Sequence, residues 1–468
     1  DLGNYERFID KTLTKKNSFT TGQVYQSVIK REREGGYLGK TIQVIPHVVD
    51  EIKERIYAAT EDNDFLIIEL GGTVGDIEGL PFMEAIRSIR HELPKTNTMN
   101  IHLSLVPYIK AAGELKTKPT QHSVQELRRI GITPHMLVCR TERELPKALK
   151  DKLALACDID RNAVIEAGDA QSIYQVPLQF IKEGILTPLS EHFNIKIKPN
   201  MEKWDTLVKN ILLPQGEVTI AFVGKYLDLK ESYKSLIEAL IHAGAHLSTK
   251  VNIHWCDSER IEDVGAYDII GNSDAILVAG GFGQRGVNGK LAAIKYAREN
   301  KIPYLGICLG MQLAIIEFAK NVLGLEDANS IEFDPNTKNP LIYLIDEFID
   351  QSGNKQIRTH ESPMGGTMRL GEYPFEPLKG THLQKAYGNN EIYYERHRHR
   401  YEANPKYKQV LEDAGMIISG QSDGLIEAIE LKDHPWFVGV QFHPEFTSHL
   451  ETPNPIILEF VRQATKNK

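Results

Sequence analysis

The sequence predicts an α/β protein built from two doubly wound domains, and three observations support this fold class. Apolar runs typical of buried strands alternate with helical stretches through residues 1–195 and again from residue 217 onward. Residues 196–216, which contain Lys, Pro and Asn and show little periodicity, separate the two patterns. The chain of 468 residues also exceeds the ~250–300 residues at which a single core stops growing. We therefore predict a domain over 1–195, a linker over 196–216 and a second domain over 217–468.

The first half contains three strand-like runs with helical patterns between them. Residues 65–70 are predicted to form a buried strand that stops at Gly71-Gly72. Further strands are predicted over 101–106 and 135–139, and helices over 81–91 and 123–130. Strand, crossover helix and strand in this order are typical of a parallel sheet.

The second half repeats this alternation and then changes character. Strands are predicted over 218–224 and 275–278, and a short apolar run over 302–305 leads into a helix that begins near Met311. Beyond Asn329 the runs become shorter and predict hairpins, followed by a strand over 436–442 and a terminal helix.

Composition and charge exclude several classes of function. The net charge of −8 argues against general nucleic-acid binding, which requires a basic face. The four cysteines form no C-x-x-C pair, so we expect neither a structural zinc site nor a disulfide framework. No apolar stretch approaches the ~18–20 residues of a membrane span, and no signal peptide is recognised. We expect a cytoplasmic protein with no nucleic-acid or membrane partner.

One short segment, Gly306-Ile307-Cys308-Leu309-Gly310, carries the strongest chemical signal. A cysteine between two glycines at a strand-to-helix turn is the thiol version of the G-x-S-x-G nucleophile elbow. The glycines permit the sharp turn, and the N-terminus of the following helix favours the thiolate. The segment predicts acyl-transfer chemistry on a carbonyl substrate.

A base and a carboxylate for this thiol are present downstream. His443 is the candidate base and Glu445 its orienting partner, since residues i and i+2 of a strand share a face. Gly280-Gly281 follows a predicted strand and could offer backbone N–H groups to an oxyanion. A lone cysteine is usually a core residue, and we assign that role to the remaining cysteines, Cys139, Cys157 and Cys256.

With these residues, the region 217–468 resembles the class I (triad) glutamine amidotransferase domain, in which Cys, His and Glu hydrolyse glutamine and release ammonia. The resemblance implies that Cys308 is the nucleophile, His443 the base and Glu445 its partner. It also implies a set of glutamine-binding residues: Gly281, Leu309, Gly310, Met311, Gln312, Glu332 and Arg400. The Arg- and His-rich run that ends at Arg400 has an alternative interpretation as a solvated basic face. Ala279 departs from the Pro that the family often has before the two glycines.

The first half contains residues suited to nucleotide and metal chemistry. Glu69 ends a predicted strand and is followed by the glycine-containing segment 71–78, where α/β sheets place phosphate and metal sites. Asp1 is a candidate second magnesium ligand, with an N-terminal surface residue as the alternative. Residues 116–121 place two lysines beside hydroxyl groups and could clamp phosphates, although spacing alone fits an exposed Lys-rich turn equally well.

Taken together, these segments resemble the CTP synthase family over essentially the whole chain. The resemblance implies a P-loop-type synthase (amidoligase) domain and a glutamine amidotransferase domain, which make CTP from UTP, ATP and glutamine and pass ammonia between them. Mg²⁺ would bind with ATP, GTP would activate through the loop 284–286, and CTP would inhibit. A homotetramer, and filaments in some members, are also implied. The implied UTP/CTP-binding residues are Asp76, Ile77, Glu78, Lys116, Thr117, Lys118, Pro119, Thr120, Gln121 and Lys152; those for ATP are Asp1, Gly168, Asp169 and Ala170, and those for the metal are Asp1 and Glu69.

The sequence departs from the family at its front end. The family opens with a strand and a Gly-rich phosphate loop, whereas no G-x-x-x-x-G-K-[ST] pattern occurs here. We therefore expect a CTP synthase that lacks its first β–P-loop–α unit in this sequence. The alternatives are an amidotransferase with a different acceptor and a non-catalytic assembly or scaffold protein. The intact triad argues against the scaffold.

Overall fold

The structure is a computed structural model that describes residues 2–60, 63–225, 227–344, 347–349, 355–357 and 368–468. These residues form two compact units. The first unit contains Thr12–Val208 together with Leu2, and the second contains Gly3–Lys11 and the chain from Lys209 to Lys468. No helix in these described ranges is long and apolar enough to cross a membrane.

The first unit is built around a parallel sheet of three strands. Strands β1, β4 and β5 lie side by side in that order, with Leu103 opposite Val138 and Cys139 opposite Glu166. Strands β2 and β3 form a separate antiparallel pair. The strands are β1 (Ile101–Leu105), β2 (Tyr108–Ile109), β3 (Glu114–Leu115), β4 (Met136–Thr141) and β5 (Val164–Gly168).

Helices surround this sheet or pack with one another. Ile52 of α3 and Ile89 of α4 belong to one buried cluster, and Val124 of α5 and Leu153 of α6 belong to a cluster with the sheet residue Leu137. The helices of this unit are α2 (Thr21–Arg33), α3 (Val49–Ala58), α4 (Leu80–Glu92), α5 (Lys118–Arg129), α6 (Lys147–Cys157), α7 (Val176–Lys182) and α8 (Leu186–Phe193). Helix α1 (Leu2–Ile9) belongs almost entirely to the second unit, and α9 (Glu202–Leu212) begins in the first unit and ends in the second.

The prediction of a strand over residues 65–70 is wrong. The segment forms neither helix nor strand, and the side chains of Phe65 and Ile67 are 59% and 92% exposed. Apolar composition predicted a buried strand, but a strand exists only where a neighbouring backbone completes its hydrogen-bond ladder. Glu69 is accordingly an exposed residue of an irregular segment and does not end a buried strand.

The chain between the two units is partly helical. Helix α9 occupies most of the predicted linker 196–216, and its Trp204 indole N–H donates to the Tyr174 carbonyl at 2.8 Å. At the other end of the chain, Glu6 of α1 accepts hydrogen bonds from the Arg396 guanidinium, at 3.0 Å for the Oε2 contact. Residues 3–11 therefore pack within the second unit, and the domain boundaries proposed from the sequence remain predictions.

The second unit is dominated by a mixed sheet of nine strands, in the order β15-β14-β17-β18-β19-β9-β8-β6-β7. Strands β19, β9, β8, β6 and β7 are parallel, and β15, β14, β17 and β18 pair antiparallel with their neighbours. The strands are β6 (Gly216–Gly224), β7 (Thr249–Asp257), β8 (Ala275–Val278), β9 (Tyr304–Ile307), β10 (Ala328–Ser330), β11 (Asn339–Leu344), β12 (Glu347–Ile349), β13 (Lys355–Ile357), β14 (Arg369–Pro377), β15 (Tyr393–His399), β16 (Tyr401–Ala403), β17 (Met416–Ser422), β18 (Leu425–Leu431) and β19 (Phe437–Val440).

Helices cover both faces of this sheet, as expected for a doubly wound domain. Ile294 of α13 and Ile315 of α14 belong to one buried cluster, whereas Leu240 of α10 and Phe460 of α17 belong to another. The helices are α10 (Lys234–His246), α11 (Ser258–Val264), α12 (Ala266–Ile270), α13 (Val287–Glu299), α14 (Leu309–Asn321), α15 (His382–Tyr387), α16 (Lys408–Asp413) and α17 (Pro455–Asn467).

The parallel part of the sheet determines where chemistry can occur. Strands β8, β9 and β19 are neighbours, so their carboxyl ends meet at one edge. The residues that follow them are Ala279, Cys308 and Gln441. The sequence predicted this α/β architecture correctly, including the strand before the cysteine and the terminal helix.

Candidate active site

Cys308 occupies a sharp turn between β9 and α14. Its backbone has φ 55° and ψ −105°, a conformation that non-glycine residues rarely adopt. The Cys308 amide donates to the Val440 carbonyl at 2.7 Å, which fixes the turn against the neighbouring strand β19. The residue is 4% exposed. Strain of this kind persists only where surrounding structure enforces it, and it often marks a functional residue.

The two flanking glycines are required by close packing. A Cβ atom at Gly310 would lie 2.2 Å from the Val278 carbonyl oxygen, and one at Gly306 would lie 2.5 Å from the Tyr304 hydroxyl oxygen. The same Tyr304 hydroxyl donates to the Gly310 carbonyl at 2.9 Å. Because a side chain at either position would collide with these atoms, the elbow strongly favours glycine at both.

His443 and Glu445 are brought together beside this turn. His443 Nδ1 and Glu445 Oε1 are 2.8 Å apart, and both side chains are largely buried. The prediction that they share one face of a strand is wrong, because β19 ends at Val440 and Pro444–Phe446 forms a 3₁₀ turn. That turn points the two side chains at each other. The His443 amide also donates to the Arg396 carbonyl at 2.7 Å, which ties the turn to β15.

The imidazole of His443 lies next to the thiol. A Cβ atom built on Gly280 would be 3.3 Å from His443 Cε1 and 3.5 Å from Cys308 Cβ, so the glycine leaves room for the two side chains to approach. Burial alone lowers the pKa of His443, but the charges of Glu445 and Cys308 raise it to about 10. A protonated imidazole held beside a cysteine is the setting in which a thiol is activated as a nucleophile.

Sequence reasoning did not assign a role to Gln441, which contacts the thiol directly. Its Nε2 lies 3.7 Å from Cys308 Sγ. Its Oε1 accepts from Gln312 Nε2 at 3.0 Å, and that same Nε2 donates to the Tyr401 carbonyl at 2.8 Å. The predicted glutamine-binding residue Gln312 therefore orients Gln441. The only sequence signal for Gln441 is its place two residues before His443.

The loop that follows β8 is held by polar contacts from Lys225 and Glu332. Lys225 Nζ donates to the carbonyls of Gly283 at 2.6 Å and Phe282 at 3.2 Å, and the Gly283 amide donates to Glu332 Oε1 at 2.9 Å. Burial raises the pKa of Glu332 above its ordinary value, and the Gly283 N–H and the charges of Lys225 and Arg400 offset only part of that rise. The predicted residues Glu332 and Arg400 therefore lie near each other, and Lys225, which was not predicted, lies beside them.

The other predicted glutamine-binding residues line the same place. Gly281 lies in the loop after β8, and a Cβ atom built there would be 3.8 Å from a Leu309 methyl carbon. Leu309, Gly310 and Met311 form the buried first turn of α14. Arg400 lies at the bend between β15 and β16 and is half-buried. The structure therefore gathers the predicted triad and the predicted glutamine-binding residues in one unit.

The remaining cysteines differ from Cys308 in their surroundings. Cys139, Cys157 and Cys256 are free and buried. Burial raises the pKa of Cys139 and of Cys256 to about 12 and also raises that of Cys157. These thiols stay protonated at neutral pH, consistent with core residues.

In the first unit, the predicted phosphate clamp over 116–121 is divided between buried and exposed residues. Gln121 Nε2 donates to Thr117 Oγ1 at 3.1 Å, and Thr120 Oγ1 donates to the Leu105 carbonyl at 3.2 Å. Lys116, Lys118 and Pro119 are exposed at the start of α5. The exposed Lys152 of α6 lies near them, since Lys116 and Lys152 both lower the pKa of Glu114.

The remaining predicted nucleotide residues are accessible. Asp76, Ile77 and Glu78 lie in or beside an exposed 3₁₀ turn. Gly168 ends β5, and Asp169, next along the chain, pairs with Arg140 of β4 at 2.5 Å. Gly168, Asp169 and Ala170 therefore lie at the carboxyl end of the parallel sheet, where such folds bind ligands.

The predicted metal ligands are only partly covered by the structure. Glu69 is an exposed carboxylate, whereas Asp1 lies outside the described residues. Within the described ranges, no group of three or more His, Cys, Asp or Glu side chains is arranged to hold a metal ion.

Comparisons with known proteins extend over both units. A family model described as CTP synthase N-terminus matches residues 1–195, and one described as glutamine amidotransferase class-I matches residues 228–463. A CTP synthase of Wolinella succinogenes is 66% identical over 100% of this chain and 85% of its own length. A CTP synthase of Sulfurimonas denitrificans is 65% identical over 98% of this chain and 85% of its own length.

Solved structures also resemble the chain. The glutaminase domain of Trypanosoma brucei CTPS with bound acivicin is 38% identical, with a TM-score of 0.48, over 54% of this chain and 95% of that domain. The combined matches to both family models and to curated relatives along nearly the whole sequence show that this chain belongs to the CTP synthase family.

Proposed function

We propose that this protein aminates UTP to CTP, using ATP and the amide nitrogen of glutamine. The observation that carries the proposal is the buried Cys308–His443–Glu445 arrangement, with a 2.8 Å contact between the imidazole and the carboxylate, in a chain of the CTP synthase family. An amidotransferase with another acceptor and a scaffold protein are not favoured, because the family likeness extends through the first unit as well.

The glutaminase half-reaction follows from the chemistry of the triad. The Cys308 thiolate attacks the carbonyl carbon of the glutamine side chain, and the C–N bond breaks as the His443 imidazolium gives its proton to the leaving nitrogen. Ammonia and a thioester result. Neutral His443 then takes a proton from water, whose oxygen attacks the thioester and releases glutamate and the thiol. Glu445 stabilises the imidazolium throughout.

Glutamine would be recognised around this thiol. We assign its amino group to the Glu332 carboxylate and its carboxylate to Arg400, since a zwitterion requires one anion and one cation. Gly281 and the first turn of α14, residues 309–312, line the pocket for its side chain. Backbone N–H groups near Gly281 and Leu309 are the candidate oxyanion donors.

The first unit would use the ammonia. ATP phosphorylates the uracil 4-oxygen, and ammonia then displaces that phosphate to give CTP. We assign UTP, or CTP as inhibitor, to residues 76–78, 116–121 and 152, supported by the exposed cations Lys116, Lys118 and Lys152. Residues 168–170 and Asp1 are assigned to ATP.

The finer properties are proposals as well. Two carboxylates and phosphate oxygens suit Mg²⁺, so Asp1 and the exposed Glu69 are the proposed ligands of an ion that would neutralise phosphate charge. We also propose GTP activation, CTP inhibition and a homotetramer. A reducing cytoplasmic location is supported by four free thiols.

The proposal is tested by measuring CTP and glutamate formation with UTP, ATP, Mg²⁺ and GTP, supplying either glutamine or ammonium chloride. We expect CTP from both nitrogen sources and equal amounts of glutamate and CTP from glutamine. Glutamate without CTP would mean that the acceptor assignment is wrong. CTP formed with ammonium chloride but not with glutamine would contradict the proposed glutaminase activity.

A further inference from the structure

Lys290 is a fully buried cation for which the triad chemistry has no role. Its side chain is 0% exposed and lies in the first turn of α13. Lysine is almost never buried without a charged partner, and a cation near a helix N-terminus opposes the helix dipole. A residue placed at such a disadvantage to stability is a candidate for function.

Two glycines allow α13 to hold this lysine inside the unit. A Cβ atom on Gly289 would lie 1.7 Å from the Ser258 carbonyl oxygen, and one on Gly286 would lie 2.2 Å from the Ser258 hydroxyl. Helix α13 therefore approaches the start of α11 more closely than any side chain would permit. The adjacent Lys290 is directed into the interior, beneath the loop that follows β8.

The ammonium group makes one hydrogen bond among the described residues, and it is to that loop. Lys290 Nζ donates to the Ala279 carbonyl at 2.7 Å. The Ala279 carbonyl and the Gly280 N–H belong to one planar peptide group, so fixing the oxygen also fixes the direction of the N–H. A Cβ atom built on Gly281 would be 3.7 Å from Lys290 Nζ, which shows how closely the cation approaches the diglycine.

The charge of Lys290 is also linked to that of the nucleophile. Burial, together with the charge of Lys225, lowers the pKa of Lys290 to about 7, against the charge of Cys308, which raises it. The two groups are therefore close enough for their charges to interact.

We propose that Lys290 is a positioning residue of the glutaminase site, which orients the Ala279–Gly281 loop through its hydrogen bond to the Ala279 carbonyl and, while protonated, places a positive charge near the reacting thiol. The charge acts on the thiol before attack, and the orientation of the loop acts on the oxyanion that forms after attack. The oxyanion part of this inference rests on the proposed glutaminase function, whereas the effect on the thiol does not.

The test compares Lys290→Met with Lys295→Met, the same substitution at an exposed lysine of the same helix. Cys308 alkylation by iodoacetamide is followed by mass spectrometry from pH 5 to 10, with Cys308→Ala as the blank. We expect Lys290→Met to move the midpoint of the rate profile upward by about one pH unit, since a neighbouring cation lowers a thiol pKa on that scale. Lys295→Met should match the wild type.

Steady-state glutamate release supplies the second readout. We expect Lys290→Met to lower kcat by about 10-fold, less than the ~10²–10³-fold loss that follows removal of an oxyanion donor itself, with KM changed less than about twofold. A merely structural role would instead lower the melting temperature and the fraction of active enzyme, leaving the alkylation midpoint where it is.

The two failures are distinguishable. A folded Lys290→Met protein with an unchanged alkylation profile and an unchanged kcat would overturn the role of Lys290. Absence of glutamate release from the wild type would overturn the proposed function, while the alkylation profile would still report on Lys290. If Lys290→Met does not fold, Lys290→Gln, which keeps a hydrogen-bond donor without the charge, tests the charge by itself: the alkylation midpoint should still rise, and an unchanged midpoint would overturn the role of the charge.

Discussion

Replacing Glu445 with Gln tests the electrostatics of the triad with little change in shape. The substitution keeps the length of the side chain and an oxygen that can face His443 Nδ1 at the present 2.8 Å. It removes the negative charge that contributes most to raising the pKa of His443 against the opposing effect of burial. The imidazolium beside Cys308 is therefore disfavoured, and the thiolate with it.

The expected magnitude follows from the contact. A buried hydrogen bond to a charged group contributes about 1.5–3 kcal/mol. At about 1.4 kcal/mol per factor of ten, its loss should lower kcat/KM for glutamine by about 10- to 150-fold. The pKa of His443 should fall, so the range of pH over which the imidazolium–thiolate pair exists should contract from its alkaline side.

The assay is glutamate release between pH 6 and 10, with Glu376→Gln, an exposed carboxylate in the same unit, as the control. CTP formation driven by ammonium chloride should be unchanged in Glu445→Gln, because that reaction bypasses the thiol. A Glu445→Gln protein with wild-type kcat/KM and an unaltered pH profile would refute the assignment of Glu445 as the partner of His443.

Three further predictions concern the fold of the second unit. Gly310→Ala would place a Cβ atom 2.2 Å from the Val278 carbonyl, and we expect a loss of about 1–3 kcal/mol in the free energy of unfolding by urea; an unchanged midpoint would show that the elbow can relax. Arg369→Met would strand the fully buried Glu427, whose Oε1 is 2.6 Å from the Arg369 guanidinium, and should reduce that free energy by about 3–5 kcal/mol; a gain in stability would contradict this. Burial lowers the pKa of His434 to about 4, below its unfolded value of 6.5, so the folded protein loses stability as pH falls from about 6.5 to 4. His434→Gln should therefore make the unfolding free energy depend less steeply on pH over that range, and an identical dependence would show that His434 is not responsible for it.

The site was predictable where its signal is local in sequence. Cys308 could be identified because the two glycines that its turn requires are both within two residues of it. His443 and Glu445 were recognisable from their spacing, although a 3₁₀ turn and not a strand brings them together. The strands around Cys308 were similarly recognisable, because buried parallel strands are continuous apolar runs.

Other features depend on packing between distant segments and left no local signal. The interior position of Lys290 is set by the contact of Gly289 with Ser258, residues 31 positions apart, and the role of Gln441 depends on its contact with Cys308. Residues 65–70 show the opposite case, in which a local pattern is present but the predicted structure is not. Their apolar composition satisfies the pattern of a strand, but in the structure the segment forms no ladder.

The transfer of the glutamine amide nitrogen to UTP through Cys308 is the central claim, and isotope labelling tests it most directly. The protein is given [amide-¹⁵N]glutamine, UTP, ATP, Mg²⁺ and GTP, and the CTP formed is analysed by mass spectrometry. We predict ¹⁵N in the 4-amino group of CTP for the wild type. The Cys308→Ala variant should form CTP only when ammonium chloride is added. Labelled CTP from Cys308→Ala, or unlabelled CTP from the wild type, would contradict the account.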